Sequence, residues 1–120
     1  MRKDLEELLN AALEDLDIAE KLYELGKYRY ACFFAQQAVE KLIKAFLLHR
    51  TNSYPFTHFI TKLDKEFEYL LEIKADGLED YYTGVRYPPL IVVDEREAKE
   101  AIEIAKKVRD FILKKLGSTC

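Results

Sequence analysis

The stretch "ACFFAQQAVEKLIKAFLLHR", residues 31–50, decides the fold. Before its closing His-Arg it is apolar except at Gln36, Gln37, Glu40, Lys41 and Lys44. A helix turning about 100° per residue gathers those five within roughly 140° of one another, leaving a wide apolar arc. So apolar a helix has to be wrapped by neighbours, which predicts a helical bundle with this segment at its centre. The polar stripe either faces water along an edge of the bundle or forms one wall of a site, and the pattern leaves both open.

Upstream, Leu5, Leu8, Leu9, Ala12, Leu13, Leu16, Ala19 and Leu22 recur at three- and four-residue steps, with acidic residues on the other side. That spacing predicts a first amphipathic helix, and Gly26 stands where a left-handed C-cap would stop it. The second helix is expected from Tyr28 to about His49, broken by "TNSYP" at 51–55. Thr57 then suits the N-cap of a third helix whose inner face carries Ile60, Leu63, Phe67, Leu70 and Leu71. The segment 75–83 leaves room only for a short helix, "DGLEDYY". In "TGVRYPPLIVVDE", residues 83–95, the paired Pro88 and Pro89 forbid helix. A lone "LIVV" strand would have nothing to pair with, so it is expected as extended loop packed on the bundle. Asp94 opens the last helix, given a broad apolar face by Ala98, Ala101, Ile102, Ile104, Ala105, Val108, Phe111, Ile112 and Leu116, and Gly117 ends it. The expected fold is all-α: an up-and-down four-helix bundle with one additional short helix, a single domain over residues 1–117 with 118–120 as a tail.

Composition bounds the function. A chain of 120 residues, 49% apolar and 34% charged, is a globular domain with a core of its own. A formal charge of -3 argues against a surface that seeks nucleic acid strongly, while leaving room for a local basic patch. Glu and Lys are abundant, Gln occurs only at 36 and 37, and Trp is absent, a usage common in thermophiles. Cys32 sits in the apolar helix and Cys120 is the last residue, which suggests neither a bridge nor a metal cluster. No apolar run reaches the roughly 20 residues of a membrane span, and the N-terminus lacks the apolar core of a signal peptide. The cytoplasm is therefore the expected location. Phe33, Phe34, Phe46, Leu47 and Leu48 exceed what one facing helix covers, so a helix-mediated homodimer is expected.

General bases are scarce, since His49 and His58 are the only histidines. His58 follows Thr57 at a helix start, where it serves either as a capping and packing residue or as a proton-transfer group in a cleft. His49, at the end of an apolar helix, is expected to be structural. No spacing suits a metal, and neither a Gly-rich phosphate loop nor a G-x-S-x-G turn is present, so no metal or cofactor is expected. In "YYTGVRYPP", residues 81–89, Arg86 lies between Gly84 and the paired prolines and is flanked by Tyr81, Tyr82 and Tyr87. It offers a fork for phosphate with aromatic faces for a base, or it pairs with a helix carboxylate while the tyrosines pack the loop. On the stripe, Glu40–Lys44 and Gln37–Lys41 are four apart, and as plain surface such pairs add only about 0.2–0.5 kcal/mol. Two adjacent glutamines, each with donors and an acceptor, suit recognition of another polar surface.

These pieces, in this order, resemble the HEPN family (higher eukaryotes and prokaryotes nucleotide-binding domain) in its small stand-alone prokaryotic form. "YRYACFFAQQAVEKLIKAFLL" is similar to the family's central helix, "THFITKL" to the Thr-His opening of the next, and "GVRYPP" to the loop before the last helix. With "AEKLYELGKYRYA" the resemblance runs from about Leu5 to Leu116. It implies an all-helical bundle that dimerises and is often encoded beside a minimal nucleotidyltransferase as a toxin–antitoxin module. It also implies a cleft: Arg86 with Lys41 or Lys44 would contact phosphate, and Gln37, Tyr82 and Tyr87 the base or a partner. Many members resemble metal-independent RNA endonucleases that use an Arg-x4-6-His motif. Here Arg50 precedes His58 with seven residues between, Pro55 among them, and no histidine follows Arg86. A nucleotide- or RNA-binding module is therefore expected ahead of an RNA endonuclease acting through His58 and an arginine, with a bare structural dimer as the third alternative.

Overall fold

The computed structural model describes residues 3–51 and 92–117, with only the backbone of Arg50 and Thr51. Three helices make up this part: α1 (Lys3–Glu24), α2 (Tyr28–Thr51) and α3 (Glu95–Gly117). No strand occurs among the described residues, and the fold is all-α. The helices expected from Thr57 and over 75–83, and the loop as far as residue 91, lie outside the described residues.

Local chemistry sets the boundaries. Asp4 and Glu6 sit in the first turn of α1, where the helix dipole favours negative charge. Gly26 ends α1 with φ +76°. The Gly26 N–H reaches the Tyr23 carbonyl at 3.0 Å and the Lys27 N–H reaches the Leu22 carbonyl at 2.8 Å, the paired bonds of a Schellman cap. The Glu97 N–H donates to Asp94 Oδ1 at 2.8 Å, so Asp94 caps α3 as its position predicted. Of the "LIVV" run, Val93 is half-buried against the core while Val92 stands 93% exposed just before α3.

Packing follows the periodicity. From α1 come Leu5, Leu9, Ala12, Leu16 and Ala19; from α3, Ala98, Ala101, Ile102, Ala105, Val108, Ile112 and Leu116. Both pack on α2, more extensively than on each other. Its Leu42 and Ile43 are fully buried, each stabilising the fold by about 1.5–3 kcal/mol. Tyr23, near the end of α1, packs its ring on Tyr28 at 5.6 Å and donates to Glu95 Oε1 at 3.2 Å. The starts of α2 and α3 thus meet at one end of α1.

Two expectations from the apolar pattern need adjusting. Leu13 is 37% exposed and sits at the margin of the buried stripe. Of the five residues that motivated a dimer, Phe46, Leu47 and Leu48 are already buried within the chain. Phe33 and Phe34 are half-buried and meet edge to face, with ring centroids 5.4 Å apart. Fewer apolar side chains therefore remain for a partner than the sequence alone suggests.

At Gly26 a Cβ would meet no atom within 4 Å, so substitution tests backbone conformation alone. Gly26→Ala should cost about 1–2 kcal/mol in urea unfolding, with Gly26→Asn milder, because left-handed backbone penalises a Cβ.

Candidate functional site

The α2 stripe does not face water. Gln36 is fully buried and Glu40 is 4% exposed, while Gln37, Lys41 and Lys44 are half-buried. Burying these groups is costly unless each finds a partner, and among the described residues the partners come from the helix itself and from α1. Gln37 Nε2 donates to Gln36 Oε1 at 2.6 Å, and Gln36 Nε2 donates to Glu40 Oε2 at 3.2 Å. Lys44 Nζ donates to Glu40 Oε1 at 2.9 Å, so the carboxylate is held between an amide and a cation. Lys41 Nζ crosses to α1 and pairs with Asp15 Oδ2. The stripe is a polar seam within the bundle, and of the two readings its pattern left open, the solvated edge does not hold.

Charge balances along it: Asp15 and Glu40 offset Lys41 and Lys44. Access is graded, with the Lys41 side chain 31% exposed and that of Lys44 13%. Lys41 is thus the more accessible of the two lysines, and Asp15 engages it. Among the described residues no group of His, Cys, Asp and Glu could hold a metal ion.

Asp15 is the residue the sequence argument passed over. It lies in "LEDLD" and counts there among the acids of the outer face. Yet it stands three residues after Ala12 and four before Ala19, within the buried stripe of α1, and is itself 9% exposed. Its spacing against those alanines was the available signal. Of the expected site residues, Gln37, Lys41 and Lys44 share this seam, whereas His58, Tyr82, Arg86 and Tyr87 lie outside the described residues. The convergence of Gln37, Lys41, His58 and Arg86 therefore stands as an expectation. His49 is exposed at the far end of α2.

A second concave region, of about 290 Å³, lies between α1 and α3 and is lined in part by Glu20, Tyr23, Ile102 and Lys106. Lys106 Nζ bridges to Glu20 at 2.8 Å across it. Burial first, and then the adjacent Glu95 carboxylate, push the Tyr23 phenol above its ordinary value. The folded state thus holds that proton more tightly than the unfolded chain does. This contribution to stability is present below the ordinary phenol pKa and is lost as pH rises through the raised one.

Because Glu40 is buried, removing its cation should be costly. Lys44→Met should destabilise by about 3 kcal/mol, whereas pairing it with Glu40→Gln should restore most of the loss. Urea unfolding of the single and double variants measures both; a single variant within about 0.5 kcal/mol of wild type contradicts the buried pair.

Comparison with known proteins places the chain in a family. Residues 5–116 match the HEPN domain family. A Methanocaldococcus jannaschii protein named "Putative toxin MJ1304" is 28% identical over 134 aligned positions, covering 91% of this chain and 88% of that one. The crystal structure of TT1696 from Thermus thermophilus superposes with a TM-score of 0.81 at 30% identity, covering 95% of this chain and 99% of that one. That of ST0689, described as an archaeal HEPN homologue, gives 0.78 at 27% identity over 96% and 98% of the two chains. With its own central helix, caps and core laid along the matched span, the chain belongs to the HEPN domain family.

Proposed function

We propose that this chain is the HEPN component of a toxin–antitoxin-type module. It acts as a homodimer that binds nucleotide or RNA and pairs with a minimal nucleotidyltransferase. The observation that carries the binding part is the polar seam of α2, where amides and ion pairs occupy a helix that apolar packing alone could have filled. Support for the module comes from family membership and from the relative named as a toxin, which matches 91% of this chain.

In this proposal Lys41 is the α2 cation that an incoming phosphate reaches, since its side chain is 31% exposed. Lys44 holds Glu40 in place behind it, and Gln37 presents its amide beside them. Arg86, Tyr82 and Tyr87 supply the phosphate fork and the aromatic faces in the same proposal. Binding is preferred to RNA cleavage because the Arg50–His58 spacing departs from the Arg-x4-6-His pattern, leaving His58 without its matched arginine.

Co-expression with the product of an adjacent nucleotidyltransferase gene tests the proposal, with purification in the presence and absence of RNA. The expected outcome is a stable complex containing a dimer of this chain, together with a thermal shift on adding nucleotide, since a ligand of the folded state raises stability. A monomer at micromolar concentration that retains no partner and gives no shift at millimolar ATP contradicts it. RNA cleavage that is lost in His58→Ala would replace binding with catalysis.

A further inference from the structure

The two ion pairs of the seam are built differently. Glu40 and Lys44 stand four residues apart on one helix, with side chains 5% and 13% exposed. The Glu40 carboxylate also accepts from Gln36 Nε2 at 3.2 Å, so it keeps a donor even when Lys44 moves. Lys41 instead crosses to α1, and among the described residues Asp15 is its one side-chain partner. Asp15 in turn has Lys41 as its one side-chain partner there. The accessible cation is therefore the one held from a second helix, and the buried cation is the one fixed within α2.

The partners of the cross-helix pair are also unequal. Lys41 ends in an ammonium with three N–H donors on a flexible stem, and its side chain is 31% exposed. Asp15 is 9% exposed, and a carboxylate so placed gains little from water if its cation leaves. Separation of the two is thus resisted from the α1 side. An anion that approaches Lys41 arrives where a carboxylate already sits, and like charges a few ångströms apart repel strongly where water is partly excluded. A phosphate group brings several acceptor oxygens to offset that loss, which a single weak acceptor does not.

We propose that Asp15 is an autoinhibitory contact of the seam: it occupies Lys41 in the free protein, and a phosphate-bearing ligand gains that lysine only by displacing the carboxylate. This rests on the reading of Lys41 as the phosphate contact of α2. It adds a competitor built into α1, which sets how tightly the site takes an anion. Because the same pair joins α1 to α2, ligand and fold draw on one lysine. Affinity and stability therefore move in opposite directions when Asp15 loses its charge.

Asp15→Asn keeps the shape of the side chain and removes the charge. Urea unfolding of the full chain measures stability, and titration with inorganic phosphate and with AMP, read by the amides of residues 37–44, measures affinity. The variant should be less stable than wild type yet bind both probes about fivefold more tightly or better, as expected when a like-charge neighbour is removed. Adding Lys41→Gln to Asp15→Asn should abolish the gain. A residue that only braced the fold would lower stability and affinity together, so affinity that falls or stays level in folded Asp15→Asn overturns the proposal. Wild-type protein supplies a second measurement should the variant fail to fold. On adding phosphate, the Asp15 carboxyl carbon should shift in step with the seam amides while that of Glu40 stays in place. Seam amides that shift without Asp15 also overturn it. Wild-type binding with no gain in the variant removes the role of Asp15 alone. Absence of binding by both proteins at millimolar phosphate and AMP removes the nucleotide reading of α2 with it.

Discussion

A carboxylate removed from water has to take a cation or several donors with it, and α2 does this while serving as the core helix of the bundle. Glu40, 4% exposed, is held by Gln36 and Lys44; Asp15, 9% exposed, reaches Lys41 from α1. The interior favours such a pair only when the geometry satisfies it, since the desolvation penalty of two ions can rival their attraction. The seam therefore constrains the register of α1 on α2: a shift of one residue would move Asp15 off Lys41 and leave a buried carboxylate without that cation. Leu16 and Ala19 pack correctly in the same register that lets the ions meet.

That constraint links packing to function. Apolar residues at 36, 40, 41 and 44 would have filled the same space without any polar partner. Retaining two amides, two acids and two lysines keeps a polar surface on a helix that is otherwise core, with Lys41 as its most accessible charge.

Much of this was legible in the sequence. The three- and four-residue spacing gave the apolar faces of α1 and α3, Gly26 gave the C-cap, and Asp94 gave the N-cap of α3. The exposure of the stripe was not legible, because periodicity states which residues share a face but not which neighbour covers it. Asp15 was missed for a related reason, since an acid in an acidic segment resembles solvent-facing surface unless its place among the buried alanines is weighed. The apolar surplus on α2 was overestimated, as Phe46, Leu47 and Leu48 are covered within the chain.

The central claim is that the α2 seam is an interior ionic network that fixes α1 against α2. A double-mutant cycle of Asp15→Asn and Lys41→Gln, followed by urea unfolding, tests it most directly. A coupling energy of about 1 kcal/mol or more is predicted for the pair, as for residues in one buried network. Additive effects within about 0.3 kcal/mol would contradict it and return the stripe to a water-facing edge.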